Sequence, residues 1–393
     1  MARLGVEEER AVLNVLRSGE LCRYGPEEST VAAFEKAIAK KFGVKHALAT
    51  NGGTASLIVA LYASGVGLGD EVIISGYTWI ATPSAVVVAN AVPIIAEIDE
   101  SLSIDPADIE AKITPRTKAI IPVHMLGMPS DMPKIKALAE KHNLVVIEDC
   151  AQAMGASVNG KRVGTYGEIG CFSMQQSKIL ITGEGGVVIT DDDDLYDRAR
   201  MTHDAGNLWG ISKQSQAAFP GMNFRMDEIR GAVASVQLTR LDDFLENTRI
   251  QNAKLREAIA DVDGIEMRKL HDENGDCNLS VAFFLPTPDL AVKFGDAMGK
   301  YGAPSGPMYT HGNGDRHVYS NWHYILEKKT YHPNGLPYSH PAYEGKIHYS
   351  DRMCPRTLDY LSRAIRVGIQ PDMAEEQIDK TANAIRLAAK DVL

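Results

Sequence analysis

The chain reads as an α/β protein, a large domain on a mostly parallel central sheet plus a smaller C-terminal α+β domain. Three observations predict this. Short apolar runs alternate with helical patterns from residue 46 onward, and several of those runs are apolar on both faces, as in a sheet covered by helices on each side. At 393 residues the chain exceeds the size at which one core usually stops growing, so two domains are expected, 1–245 with an N-terminal arm and 246–393.

Composition narrows the class. With 45% hydrophobic and 23% charged residues and no apolar run of membrane-spanning length, a globular cytoplasmic protein is expected. The first ten residues hold no continuous apolar stretch for a signal peptide. A formal net charge of -10 argues against a nucleic-acid or anionic-membrane surface. The five cysteines are far apart, with no Cys-x-x-Cys pair, so neither a disulfide framework nor a zinc site is indicated.

In order, helical spacing of Val31, Phe34, Ile38 and Phe42 leads to Gly43, a C-terminal cap. A strand over 46–50 then runs into Asn51-Gly52-Gly53-Thr54-Ala55-Ser56 and a helix. Strand, small residues, helix is a geometry that aims free amides and a helix dipole at an anion, so Gly53 and Thr54 are read as a phosphate cradle or as a plain tight loop. A dinucleotide fold is disfavoured, because Gly65, Gly67 and Gly69 precede a strand where that fingerprint would follow one.

Strands are expected over 71–75, 92–98, 119–125 and 144–149, with helices over 79–90 and 131–142. In such sheets ligands sit beyond the carboxyl ends of strands. That singles out Gly53, Thr54, Tyr77 to Trp79, His124, Asp149 to Gln152 and Ser173. Asp149 closes an apolar run, where an unpaired carboxylate is costly, so it should face a cation unless it is a helix cap or structural ion pair.

Residues 169–172 and 187–190 read as strands around Lys178 and the run Gly183-Glu184-Gly185-Gly186. Burial would lower the lysine's pKa and make it a nucleophile towards carbonyls; the bland alternative is a surface lysine at a hairpin. Asp191 to Asp194 reads as a solvated turn leading to a helix over 195–205. A loop over 206–222 precedes a helix capped by Asp227 and a second helix over 241–261. The remainder predicts a strand over 280–285, a helix over 290–301, a helix over 359–364, a strand over 366–369 and a helix over 375–392. Between them lies an aromatic, His-rich insert, 302–353. Its histidines lack the pairing that zinc sites favour, so no metal is expected, and an aromatic wall over a polar substrate is preferred.

Taken together, the motifs Asn51-Gly-Gly-Thr-Ala-Ser-Leu57, Gly69-Asp-Glu-Val-Ile73, Tyr77-Thr-Trp79, Glu148-Asp-Cys-Ala-Gln152, Ser173 to Gly186 and Gly221-Met-Asn-Phe-Arg-Met226 carry a resemblance. The chain resembles the sugar aminotransferase family (DegT/DnrJ/StrS type) of fold-type I pyridoxal-phosphate enzymes, nearest the scyllo-inosose and amino-octulosonate branch. The resemblance implies pyridoxal 5'-phosphate as cofactor, Lys178 as its covalent anchor and proton shuttle, and Asp149 against the pyridinium nitrogen. It also implies Gln152 near the phenolic oxygen, Trp79 on the ring face, and Gly53, Thr54 and Ser173 at the phosphate. Asn223 would reach the phosphate of a neighbouring subunit, which implies a homodimer with shared sites. His311, Trp322, His323 and Tyr324 of the insert are the expected substrate residues.

The expected reaction moves an amino group from glutamate or glutamine to a keto or aldehyde group of a sugar or cyclitol. Two rivals are a dehydratase on the same scaffold and a non-catalytic regulatory protein. Sugar dehydratases of the family replace the lysine by histidine, so Lys178 speaks for transamination. The chain departs from the family pattern at Gly52, usually Ser or another small residue, at Met154, often His, and in the length of the insert.

Overall fold

The computed structural model describes residues 4–23, 29–207 and 218–393, so part of the loop expected over 206–222 lies outside the described residues. The strands are β1 His46–Thr50, β2 Glu71–Ser75, β3 Val92–Ala96, β4 Thr117–Ile121, β5 Val145–Asp149, β6 Ser157–Val158, β7 Lys161–Arg162, β8 Ile169–Ser173, β9 Gly186–Thr190, β10 Glu266–Met267, β11 Ser280–Phe284 and β12 Ala364–Gly368. Seven of them form one sheet in the order β1-β9-β8-β5-β4-β2-β3. The pairings among β2, β3, β4, β5 and β8 are parallel, whereas β9 runs antiparallel to both its neighbours, β1 and β8.

That single reversal has a local cause. Parallel neighbours need a crossover, usually a helix, while β8 and β9 are joined only by residues 174–185 and therefore return alongside each other. Lys178 lies on this return. The parallel strands meanwhile deliver Thr50, Ser75, Asp149 and Ser173 to the same edge of the sheet.

Helices cover both faces. Helix Thr30–Phe42 is capped by the Ser29 side chain, which accepts from the Ala32 amide, and it ends at Gly43 with φ 72°. It buries Val31, Phe34, Ile38 and Phe42, the last edge-on to Phe172 with ring centroids 5.1 Å apart. The opposite face carries helix Gly53–Ala63, buried along nearly its whole length.

β10, β11 and β12 form a second, antiparallel sheet. Its alternation splits cleanly. Val281, Phe283 and Ile365 pack under helices Pro288–Lys300 and Glu375–Val392, while Ala282, Phe284 and Ala364 join the core beneath the large sheet. The helix Leu241–Ala258 crosses the expected division at residues 245–246.

Several boundaries differ from expectation. β3 and β4 stop at Ala96 and Ile121 because Ile98 and Val123 make only isolated bridges, and the chain then turns through Met125–Gly127 with Leu126 at φ 60°. Helices Val6–Ser18 and Pro106–Lys112 were not expected, and Pro355–Arg363 starts before residue 359. The first is tied to the body by polar contacts that no periodicity reveals: buried Glu8 accepts from Gln237 at 2.7 Å and pairs with Arg240. The five cysteines are unpaired. Among the described residues, no helix is long and apolar enough to cross a membrane.

Candidate active site

At the carboxyl edge of the sheet, β1 runs into the helix Gly53–Ala63, whose N-terminus has no side-chain cap. Its orphan amides therefore remain available to an anion. A cavity of about 590 Å³ opens there, lined among others by Gly53, Thr54, Trp79, Thr82, Asp149, Gln152, Ser173 and Lys178. Two close approaches shape it. A Cβ on Gly53 would stand 2.6 Å from the Ser173 Cβ, and one on Gly186 would stand 2.6 Å from the Gly52 carbonyl oxygen. Glycine at both positions lets the helix start, the end of β8 and the start of β9 meet without a gap.

Asp149, at the end of β5, is buried. Its Oδ1 accepts from the Ala151 amide at 3.1 Å and its Oδ2 from the Thr82 hydroxyl at 2.9 Å. Burial pushes its pKa above the usual carboxylate range, against the opposing pull of the Ala151 amide, Thr82, Lys178 and His124. Burial pushes Lys178 the other way, below the ordinary lysine value, with Asp149 opposing. The cavity thus holds a carboxylate and an amine, each disfavoured in its charged form.

Gln152 Oε1 accepts from the Leu126 amide at 3.0 Å, which leaves the side-chain NH₂ for the cavity. Trp79 is 42% exposed at the rim, its ring centroid 4.9 Å from that of His317. A second cavity, about 760 Å³, adjoins the first; Gln152, Ser177, Lys178 and His317 line both. Its far wall comes from Pro304 to Met308, Asn313, Asp315 and Arg366. His317 Nδ1 lies 2.8 Å from Asp315 Oδ1.

Lys178, Asp149, Gln152, Trp79, Gly53, Thr54 and Ser173 are thus brought together around one cavity. Asn223 is not; it lies exposed on the segment before Asp227. Trp322 requires a correction. It is fully buried in the core, and its indole N–H donates to the Arg316 carbonyl at 2.8 Å, so it cannot form a substrate wall. His311, His323 and Tyr324 line neither of the two cavities, and from the insert Pro304 to Met308, Asn313, Asp315 and His317 do so instead. Among the fourteen aromatic and histidine positions in that insert, nothing in the spacing distinguishes His317. Thr82 was also missed, since a threonine one turn into a helix carries no signal until its strand neighbour is known.

His124 is buried away from both cavities. With Glu148 and Cys150 it forms the cluster of possible metal donors among the described residues. Its Nδ1 accepts from the Ser130 amide at 3.0 Å, so Nε2 carries the proton that faces Glu148 at 3.2 Å. Glu148 also accepts from the amides of Gly164, Tyr166 and Gly167. Its oxygens are engaged by four donors, and burial raises the Cys150 thiol well above its ordinary pKa, so the cluster reads as structural.

Comparison with known proteins agrees with this geometry. The DegT/DnrJ/EryC1/StrS aminotransferase family matches residues 2–306. The spore coat polysaccharide biosynthesis protein SpsC of Bacillus subtilis is 32% identical over 98% of this chain and 94% of its own. The L-glutamine:2-deoxy-scyllo-inosose aminotransferase of Streptomyces kanamyceticus is 42% identical over 63% of this chain and 61% of its own. Among solved structures, 3-amino-5-hydroxybenzoic acid synthase superposes with a TM-score of 0.82 at 26% identity, covering 99% of this chain and 97% of that one.

Proposed function

This chain belongs to the DegT/DnrJ/EryC1/StrS aminotransferase family, and on that premise we propose that it transfers an amino group from L-glutamine or L-glutamate to a keto or aldehyde group of a sugar or cyclitol. It is a pyridoxal-phosphate-dependent transaminase. A cyclitol is the first acceptor to test, supported by the 42% identity to the enzyme named for 2-deoxy-scyllo-inosose. The observation that carries the reading is the meeting of the two cavities at Lys178, one suited to a phosphorylated cofactor and one to a polar substrate.

The residues fit that cofactor. The uncapped helix start with Thr54 and Ser173 suits a phosphate, and Asp149, hydrogen-bonded only by neutral donors among the described residues, suits a protonated ring nitrogen. Once bound, pyridoxal phosphate supplies a reactive carbonyl and an electron sink. Trp79 offers its ring face at the rim, and the Gln152 amide can donate to an oxygen of the ring. Lys178 Nζ, whose neutral form burial favours, serves as the group that holds the cofactor and as the base that moves a proton at the substrate carbon. Asn223, exposed beside the likewise exposed Met222, is read as reaching the phosphate site of a second copy in a homodimer.

The test is direct. The cofactor-loaded protein, mixed with L-glutamine or L-glutamate and then with keto-cyclitols and nucleotide-linked keto-sugars, should yield an aminated product by mass spectrometry. A spectral response to the amino acid with no amination of any such acceptor would overturn the acceptor class.

A further inference from the structure

Arg366 is the unexplained cation of the second cavity. It sits on β12 opposite Ala282 of β11, and strand alternation puts it on the face shared with Ala364, towards the large sheet. That wall is built rather than loose. The Met308 amide donates to the Ala364 carbonyl at 2.9 Å, and the Ser305 hydroxyl donates to the Arg366 carbonyl at 3.0 Å, pinning the cavity's outer segment to the strand.

The guanidinium itself makes no hydrogen bond or ion pair among the described residues, although it lies within electrostatic reach of Asp315 and the Tyr77 hydroxyl, both on the cavity lining. A second arginine lies behind it, already paired. Arg268, fully buried against Asp276 at 3.1 Å, is within reach of both Arg366 and Tyr77, and its Nη1 has no partner. Among the described residues, Arg366 is thus the one guanidinium lining this cavity, whose lining carries one carboxylate, Asp315. Such a site is complementary to an anion, and an arginine fork matches a carboxylate through two N–H donors.

We propose that Arg366 is the specificity residue for the amino donor and binds its carboxylate on the far wall of the cavity that holds Lys178. The inference rests on the transaminase reading above. The donor is the reactant that must carry a carboxylate whatever the acceptor, whereas a sugar or cyclitol acceptor is anionic only if a nucleotide or phosphate is attached. Asp315 and His317, which line the same cavity, offer the hydrogen-bonding pair that a neutral polyol or a donor side-chain amide can use.

Stopped-flow absorbance of the cofactor-loaded protein mixed with L-glutamine or L-glutamate isolates the donor step. Arg366→Gln should raise the half-saturating donor concentration by about 10- to 100-fold, the equivalent of losing one charge-assisted contact. Arg366→Lys, which keeps the charge but not the fork, should fall between. Calorimetric titration with glutarate should weaken in parallel, reporting carboxylate binding apart from turnover. Equal half-saturation and equal glutarate binding in all three proteins overturns the inference. So does a loss confined to the acceptor step with a nucleotide-linked keto-sugar, which would assign Arg366 to a diphosphate. The donor step needs no acceptor, so failure of every sugar and cyclitol would sink the acceptor reading while leaving this one standing.

Discussion

Thr82 donates its hydroxyl hydrogen to Asp149 Oδ2 across 2.9 Å, from the first turn of the helix Ala81–Val88 to the end of β5. Both side chains are buried, and Thr78 Oγ1 stands 2.9 Å from Thr82 Oγ1, so the carboxylate is held at the end of a short hydroxyl chain. Such supporting bonds orient a charged group and keep it available. Thr82→Val should therefore weaken pyridoxal phosphate by about tenfold, the order of one hydrogen bond to a charged group. Absorbance titration of the cofactor measures this, and unchanged affinity would deny the bond that role.

Lys178→Ala should abolish turnover and leave the bound cofactor removable by dialysis, because its covalent anchor is gone. Full activity in that variant would sink the assignment of the lysine.

Asp149 makes a prediction of opposite sign for stability. Burial raises its folded pKa above the unfolded value, so its contribution to stability is complete below the ordinary carboxylate range and is lost as pH rises through the raised value. At neutral pH the cofactor-free fold carries this cost. Asp149→Asn should raise the melting temperature of the cofactor-free protein while reducing the stabilisation gained on adding pyridoxal phosphate. Thermal melts with and without cofactor check both; a lower melting temperature for the cofactor-free variant would mean the carboxylate is better paired than its neighbours suggest.

His203 predicts an acid limb. Burial, with Arg23 adding to it, lowers its pKa from 6.5 to about 3. A histidine depressed in the fold contributes stability that is present above 6.5 and is lost as pH falls towards about 3. The loss is at most about 5 kcal/mol at one pKa unit per 1.36 kcal/mol. His203→Gln should flatten the fall of stability in this window relative to the parent chain, measured by denaturant unfolding at stepped pH.

Gly53→Ala places a methyl 2.6 Å from the Ser173 Cβ, a contact that side chains do not sustain. The helix start or the end of β8 must shift, and the expected outcome is a loss of cofactor affinity of about tenfold or more with only a modest change in melting temperature. Inorganic phosphate, tested as a competitor of cofactor binding, should weaken by a similar factor. Equal affinity in the variant would remove the helix start from the phosphate site.

Local chemistry was enough to read the strand-helix alternation, the capping of the helices at Gly43 and Asp227, and the both-face apolar strands. These depend on neighbours a few residues away, and all are visible in order along the chain. Gly53, Thr54, Trp79, Asp149, Gln152 and Ser173 were singled out because strand ends mark where a parallel sheet presents its ligands, whereas Lys178, on the return between β8 and β9, was singled out by the motif that carries the family resemblance. Tertiary structure alone decided which of the insert's polar and aromatic residues face the cavity. Trp322 and His317 are five positions apart in one irregular segment, yet one is sealed in the core and the other stands against Trp79. The order β1-β9-β8-β5, the bond from Thr82 to Asp149 and the approach of Arg366 are likewise long-range. An irregular segment has no period to assign its faces, and contacts between distant strands follow from the packing of whole sheets, so no local pattern encodes them.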